Sequence, residues 1–90
     1  MLNTLENLFN LARDRKKFPK EGSYTNKLLD EKSLSKAKVL EEINELIEAV
    51  EKDTNKINEA AEVLYHLIMY LEANNIKIED VMTELDKRRK

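Results

Sequence analysis

Residues 56–73 read KINEAAEVLYHLIMYLEA, and this stretch decides the fold. Ile57, Ala60, Ala61, Leu64, Leu67, Ile68 and Leu71 recur at three- and four-residue steps, the period of an α-helix, and form its expected core face. Val63, Tyr65, Met69 and Tyr70 cover most of the remaining circumference, so the helix is expected to be buried on both sides. Polar groups enter that second face: Glu59, Glu62, His66 and Tyr70 stack at i, i+3, i+7 and i+11.

Upstream, Asp53-Thr54-Asn55 is a cluster of capping residues too short for anything but an antiparallel helical hairpin. The helix before it carries Val39, Leu40, Ile43, Leu46, Ile47 and Val50, with Ser33 or Ser35 as N-cap and an end near Lys52. Leu2, Leu5, Leu8, Phe9 and Ala12 mark a first helix ending near Lys17, broken by Phe18-Pro19-Lys20-Glu21-Gly22. The spacing leaves the form of Asn26 to Glu31 open. Downstream, Asn74-Asn75 stops the central helix. Ile78, Val81, Met82 and Leu85 then mark a last one, and the basic run Lys87 to Lys90 suits its C-terminus, while Arg13, Lys16, Lys17 and Lys20 read as solvated surface. The expected class is all-α: one small domain of four to five helices around the hairpin, completed as a dimeric helical bundle.

Composition agrees. One glycine and one proline in 90 residues leave few of the turns a sheet needs. A net charge of −2 speaks against charge-driven nucleic-acid binding, and the absence of cysteine removes thiolate zinc sites and cysteine nucleophiles. The longest apolar run is far short of a membrane span, and Met1 to Glu6 carries no export signal, so the expected location is the cytoplasm. A chain this small buries only about 60–65% of its unfolded surface, which oligomerisation would relieve.

The carboxylates carry the chemistry. Lys38, Glu42, Glu45 and Ala49 follow at i, i+4, i+7 and i+11 beside the apolar stripe, while Glu41 sits further round. Folding the hairpin about Thr54 brings Glu42 and Glu45 within about one turn, ~6 Å along the axis, of Glu59 and Glu62. Four acids with no sulfur nearby suit a hard cation, Mg²⁺ first and Mn²⁺ as a substitute. The competing reading is that glutamate is a good helix former, and that such pairs are ordinary solvated faces. For His66 the preferred role is a hydrogen-bonded core residue that touches substrate, not a metal ligand.

Lys38-Val39-Leu40-Glu41-Glu42-Ile43-Asn44-Glu45, followed by Glu59-Ala60-Ala61-Glu62-Val63-Leu64-Tyr65-His66-Leu67, resembles the phosphoribosyl-ATP pyrophosphohydrolase family. That family belongs to the all-α nucleotide pyrophosphohydrolases, with their E-E-x-x-E and E-x-x-D signature. Arg15 with Ser23-Tyr24-Thr25, and Ile78-Glu79-Asp80-Val81 with Glu84-Leu85 and Arg88, are similar to its flanking segments. The resemblance implies release of pyrophosphate from phosphoribosyl-ATP in histidine biosynthesis, by a homodimer. It implies Mg²⁺ held by Glu42, Glu45, Glu59 and Glu62, with Glu41, Glu42 and Glu45 as the catalytic acids. It also implies substrate contacts from Arg15, Ser23, Tyr24, Thr25, Lys36, Lys38 and His66. Glu62 stands where the family has aspartate, and Leu40 where it has glycine. Two other readings are a house-cleaning nucleoside triphosphate pyrophosphohydrolase on the same scaffold, and a non-catalytic helical dimerisation module.

Overall fold

The computed structural model describes residues 2–89; Met1, and Lys90 at the end of the basic run, lie outside the described residues. Five helices follow one another: α1 (Asn3–Lys17), α2 (Tyr24–Asp30), α3 (Lys32–Lys52), α4 (Lys56–Ala73) and α5 (Ile78–Arg88). No strand occurs among the described residues, as the scarcity of glycine and proline requires.

α3 and α4 form the expected antiparallel hairpin. Asp53 ends α3 in the left-handed region at φ 56°, and the Thr54 N–H donates to Ala49 O at 2.9 Å. Asn55 is also left-handed, at φ 41°. Gly22 adopts φ 78° between α1 and α2, a conformation that favours glycine. Asn75, at φ 60°, closes α4, and the Ile76 N–H returns to Leu71 O at 2.9 Å.

The segment whose form the spacing left open is α2, capped by Ser23 Oγ, which accepts the Asn26 N–H. Ser33 and Ser35 are not caps. Glu31 alone (φ −107°, ψ 87°) makes the corner between α2 and α3, without a side-chain cap. Burial of Leu28 and Leu29 on one side and Ser35 on the other fixes that corner tightly enough that α3 starts at once. Asn26 is buried and replaces backbone partners in the loop: its Nδ2 donates to Arg15 O, and its Oδ1 accepts the Lys20 N–H.

Ala12, Leu28, Leu29, Ile68 and Met69 form the buried core, flanked by Leu5, Leu8, Phe9, Leu34, Tyr65 and Ile78. Two sequence expectations are overturned here. The central helix does not bury Ile57, Ala61 or Leu64, which are exposed, Ile57 to 88%. It buries His66, Ile68, Met69, Glu72 and Ala73. On α3, Val39, Glu42 and Ala49 are buried, while Leu40, Ile43, Ile47 and Val50 face outward. On α3 the outward arc lies across the helix from Glu41 and Glu45, and on α4 Ala61 and Leu64 line an open apolar groove with Leu5, Leu8 and Leu11 of α1. A hydrophobic arc reports burial in whatever assembly a helix meets, and α1 and α2 leave these arcs largely uncovered.

Arg13 and Lys16, expected as solvated surface, are structural. Arg13 donates Nε to the buried Glu72 at 3.1 Å and its two terminal nitrogens to Glu79 at 2.7 and 2.6 Å. The Lys16 ammonium donates to Glu72 O at 2.8 Å. This network ties α5, which buries no residue of its own, to α1 and α4. The Cα radius of gyration is 14.1 Å, above the ~12 Å of a compact domain this long, so much apolar surface stays uncovered.

Candidate active site

The acids converge where α3 faces α4. Glu41, Glu42 and Glu45 offer carboxylate oxygens within 4.8 Å of one another, and carboxylate oxygens of Glu42 and Glu62 with a ring nitrogen of His66 lie equally close. Glu42 belongs to both sets. It is buried, at 8% exposure, and its Oε2 has no hydrogen-bond partner. Oε2 of Glu59 is likewise buried and unpartnered. Glu59 stands in neither set, but its carboxyl lies in hydrogen-bonding reach of Glu45. The negative charge of Glu42 holds the Glu45 carboxyl above the usual carboxylate range, with partial burial adding to it. Anionic oxygens that are buried, mutually repelling and unpartnered fit an oxygen-ligated cation, and solvated faces do not leave such atoms.

Around this cluster α2 and α4 supply hydroxyls and an imidazole. His66 is 3% exposed. Its Nδ1 lies 2.8 Å from Glu62 O, a pure acceptor, so Nδ1 carries the proton. In the neutral ring Nε2 therefore accepts, and the Tyr24 hydroxyl donates to it at 2.9 Å. Burial pushes the Tyr24 hydroxyl pKa up, offset in part by the positive charge of Lys38. Thr25 is buried, with Oγ1 2.6 Å from the Tyr65 hydroxyl. Ser23 Oγ accepts from Arg15 Nη1 at 2.8 Å besides capping α2. The Lys38 ammonium pairs with Glu41 at 3.2 Å, and its hydrogen bond to that carboxylate raises its pKa.

The structure thus gathers Glu41, Glu42, Glu45, Glu62, His66, Tyr24 and Lys38, with Glu59 beside Glu45. Arg15 and Ser23 form a second pair at the start of α2. Lys36 is exposed and makes no ion pair or hydrogen bond among the described residues. Leu40, which stands where the family has glycine, is 56% exposed on the outward arc. Glu62 places Oε2 3.6 Å from His66 Nδ1. Sequence reasoning missed Tyr65 as a hydrogen-bonding residue, Asn26, and Ser35, whose buried Oγ has no partner. Only Asn26 carried a signal, three residues after a serine N-cap. A solvent-open cleft of about 700 Å³ runs along the α1–α2 loop past Lys20, Ser23, Tyr24, Lys27, Asp30 and Glu31.

An all-helical hairpin with converging acids, overlaid by a short hydroxyl-bearing helix, defines an acid-lined helical hydrolase. The sequence profile of the phosphoribosyl-ATP pyrophosphohydrolase family matches residues 2–89, and the chain belongs to that family. It is 49% identical over 89 residues to a phosphoribosyl-ATP pyrophosphatase of Clostridium acetobutylicum, covering 93% of this chain and 79% of that one. It is 44% identical over 94 residues to one of Clostridium novyi, covering 99% and 84%. A histidine biosynthesis bifunctional protein of Pyrococcus furiosus is 42% identical over 90 residues, covering 99% of this chain but 43% of that one. No solved structure matches significantly. No described helix is long and apolar enough to cross a membrane.

Proposed function

We propose that the protein hydrolyses phosphoribosyl-ATP to phosphoribosyl-AMP and pyrophosphate, with Mg²⁺ as cofactor and Mn²⁺ as a substitute. The observation that carries this reading is the pair of buried, unpartnered oxygens on Glu42 and Glu59 within a cluster of acids. Glu42, Glu45, Glu59 and Glu62 hold the ion. When bound it neutralises the triphosphate and makes the phosphorus under attack more electrophilic. Glu41, Glu42 and Glu45 share little more than one turn of α3, so an acid of this set left free of the ion takes the proton of the attacking water on a carboxylate oxygen. Lys38 exchanges Glu41 for a phosphate oxygen, and Arg15 binds a phosphate bidentately. Lys36 adds positive charge from solvent. Ser23, Tyr24 and His66 line the approach, with Tyr24 offering a neutral hydroxyl, while Thr25 is buried with its hydroxyl tied to Tyr65. The reaction belongs to the cytoplasm, where nucleotide pools reside.

The working form is a homodimer built on the outward face of the hairpin. Leu40, Ile43, Ile47, Val50, Ile57 and Leu64 are 37–88% exposed there. Together they leave roughly 500 Å² of apolar surface, near the upper limit for a monomer and over half of what one partner of a standard interface buries. Two copies of a two-helix face make a four-helix bundle.

The test is pyrophosphate release from phosphoribosyl-ATP and from a panel of nucleoside triphosphates, in Mg²⁺ and in EDTA. EDTA-sensitive turnover of phosphoribosyl-ATP alone is expected. Turnover of the panel instead moves the protein to a house-cleaning role, and no turnover by folded protein leaves a helical module.

A further inference from the structure

We propose that Tyr65 is a positioning residue, setting the roll of α2 on α4 so that the Tyr24 hydroxyl meets the His66 imidazole beside the carboxylates. The inference rests on the proposed function, in which Tyr24 and His66 face the substrate. α2 has seven residues, too few to be stable in isolation, so its orientation is imposed from outside. Two consecutive residues of α4 grip two consecutive residues of α2: His66 takes Tyr24 at 2.9 Å and Tyr65 takes Thr25 at 2.6 Å. Leu28 and Leu29 anchor the C-terminal half of α2 in the core, and the two bonds together fix the roll of its N-terminal turn.

The rings reinforce the bonds. Tyr65 stacks on Tyr24 with centroids 6.4 Å apart and planes 18° apart. It meets His66 edge-on at 5.1 Å and 89°. Among the described residues, Tyr65 is the aromatic side chain that packs on both members of the Tyr24–His66 pair while holding Thr25 by its hydroxyl. Its own hydroxyl is committed to Thr25, so it acts through its neighbours and not on the substrate.

The experiment compares wild type with Tyr65→Phe, Thr25→Val and the double variant, each close to isosteric, and with Thr25→Ser as the conservative rescue. Tyr65→Phe and Thr25→Val remove the same bond from opposite ends. Each is expected to raise KM for the nucleotide about five-fold, the equivalent of one net hydrogen bond, with kcat changed less than about two-fold. The double variant is expected to be no worse than either single, and Thr25→Ser to keep the wild-type KM. The chain has one histidine, so the imidazole ¹⁵N spectrum reports His66 alone. Wild type is expected to show the Nδ1–H tautomer when neutral, and Tyr65→Phe and Thr25→Val a mixture moved toward Nε2–H. A lowered melting temperature with wild-type KM and tautomer signal would mean that Tyr65 only packs, and additive single effects would overturn the shared bond. If wild type turns over no nucleotide, the proposed function fails, and the tautomer signal then decides the role of Tyr65 by itself.

Discussion

Replacing Glu42 by glutamine tests the acid cluster as a cation site through stability alone. Glu42 is 8% exposed, its Oε2 has no partner, and it shares both carboxylate sets. Without a divalent ion that buried charge is desolvated and repelled by Glu41, Glu45 and Glu62. Glutamine keeps the shape, removes the charge and turns amide N–H donors toward the remaining acids. Relief of an uncompensated buried charge is expected to stabilise the ion-free protein by about 1–3 kcal/mol. For a domain of this size that is a rise in Tm of roughly 5–15 °C. Wild type in turn gains from Mg²⁺ by mass action, about 1.4 kcal/mol at ten times Kd, while Glu42→Gln gains little. Thermal melts in EDTA and in Mg²⁺ should therefore show the variant ahead in EDTA and the gap narrowing when Mg²⁺ is added. A variant less stable than wild type in EDTA, or an equal Mg²⁺ gain in both proteins, would refute the reasoning.

Other outcomes follow from the contacts described above. Arg13→Ala leaves Glu72 buried with only Lys16 nearby, and should lower stability by about 2–3 kcal/mol, whereas Glu79→Gln, at an exposed acid, should cost much less; urea unfolding separates the two. The Arg13 fork lowers the Glu79 pKa from 4.5 to about 2. Because the folded value lies below the unfolded one, the pair stabilises fully above pH 4.5 and its contribution is lost as pH falls toward 2. Wild type should therefore lose more stability than Glu79→Gln across that window in acid titrations. Asn26→Ala strands the Lys20 N–H and Arg15 O and should cost about 2–3 kcal/mol in urea melts, with helix content kept in the folded state. Ile47→Lys places a charge at the centre of the outward face and should convert a dimer to a monomer in sedimentation equilibrium; a monomeric wild type would remove that face as an interface.

Much of this was legible in the residues. The period of residues 56–73 and the capping cluster at Asp53-Thr54-Asn55 set the hairpin, and Pro19 and Gly22 set the break after α1. Hairpin symmetry then placed Glu42 and Glu45 opposite Glu59 and Glu62 without any coordinate. These readings succeed because they depend on interactions a few residues apart, which helix geometry converts directly into position.

Three features needed the tertiary structure. α2 was ambiguous because its seven residues carry too little periodicity, and it is a helix because core burial of Leu28 and Leu29 and the bonds from Tyr65 and His66 hold it. Arg13 looked like one more surface cation, since its partners Glu72 and Glu79 are 59 and 66 residues away. The hydrophobic arcs of α3 and α4 were read as core, yet within one chain they face outward. By itself the sequence determined where the longer helices run and which acids share a turn, because α-helical spacing is local. Which side of each helix is buried, and which carboxylate oxygens are left without a partner, was decided only when α1 and α2 packed on the hairpin and left its outward arcs largely uncovered.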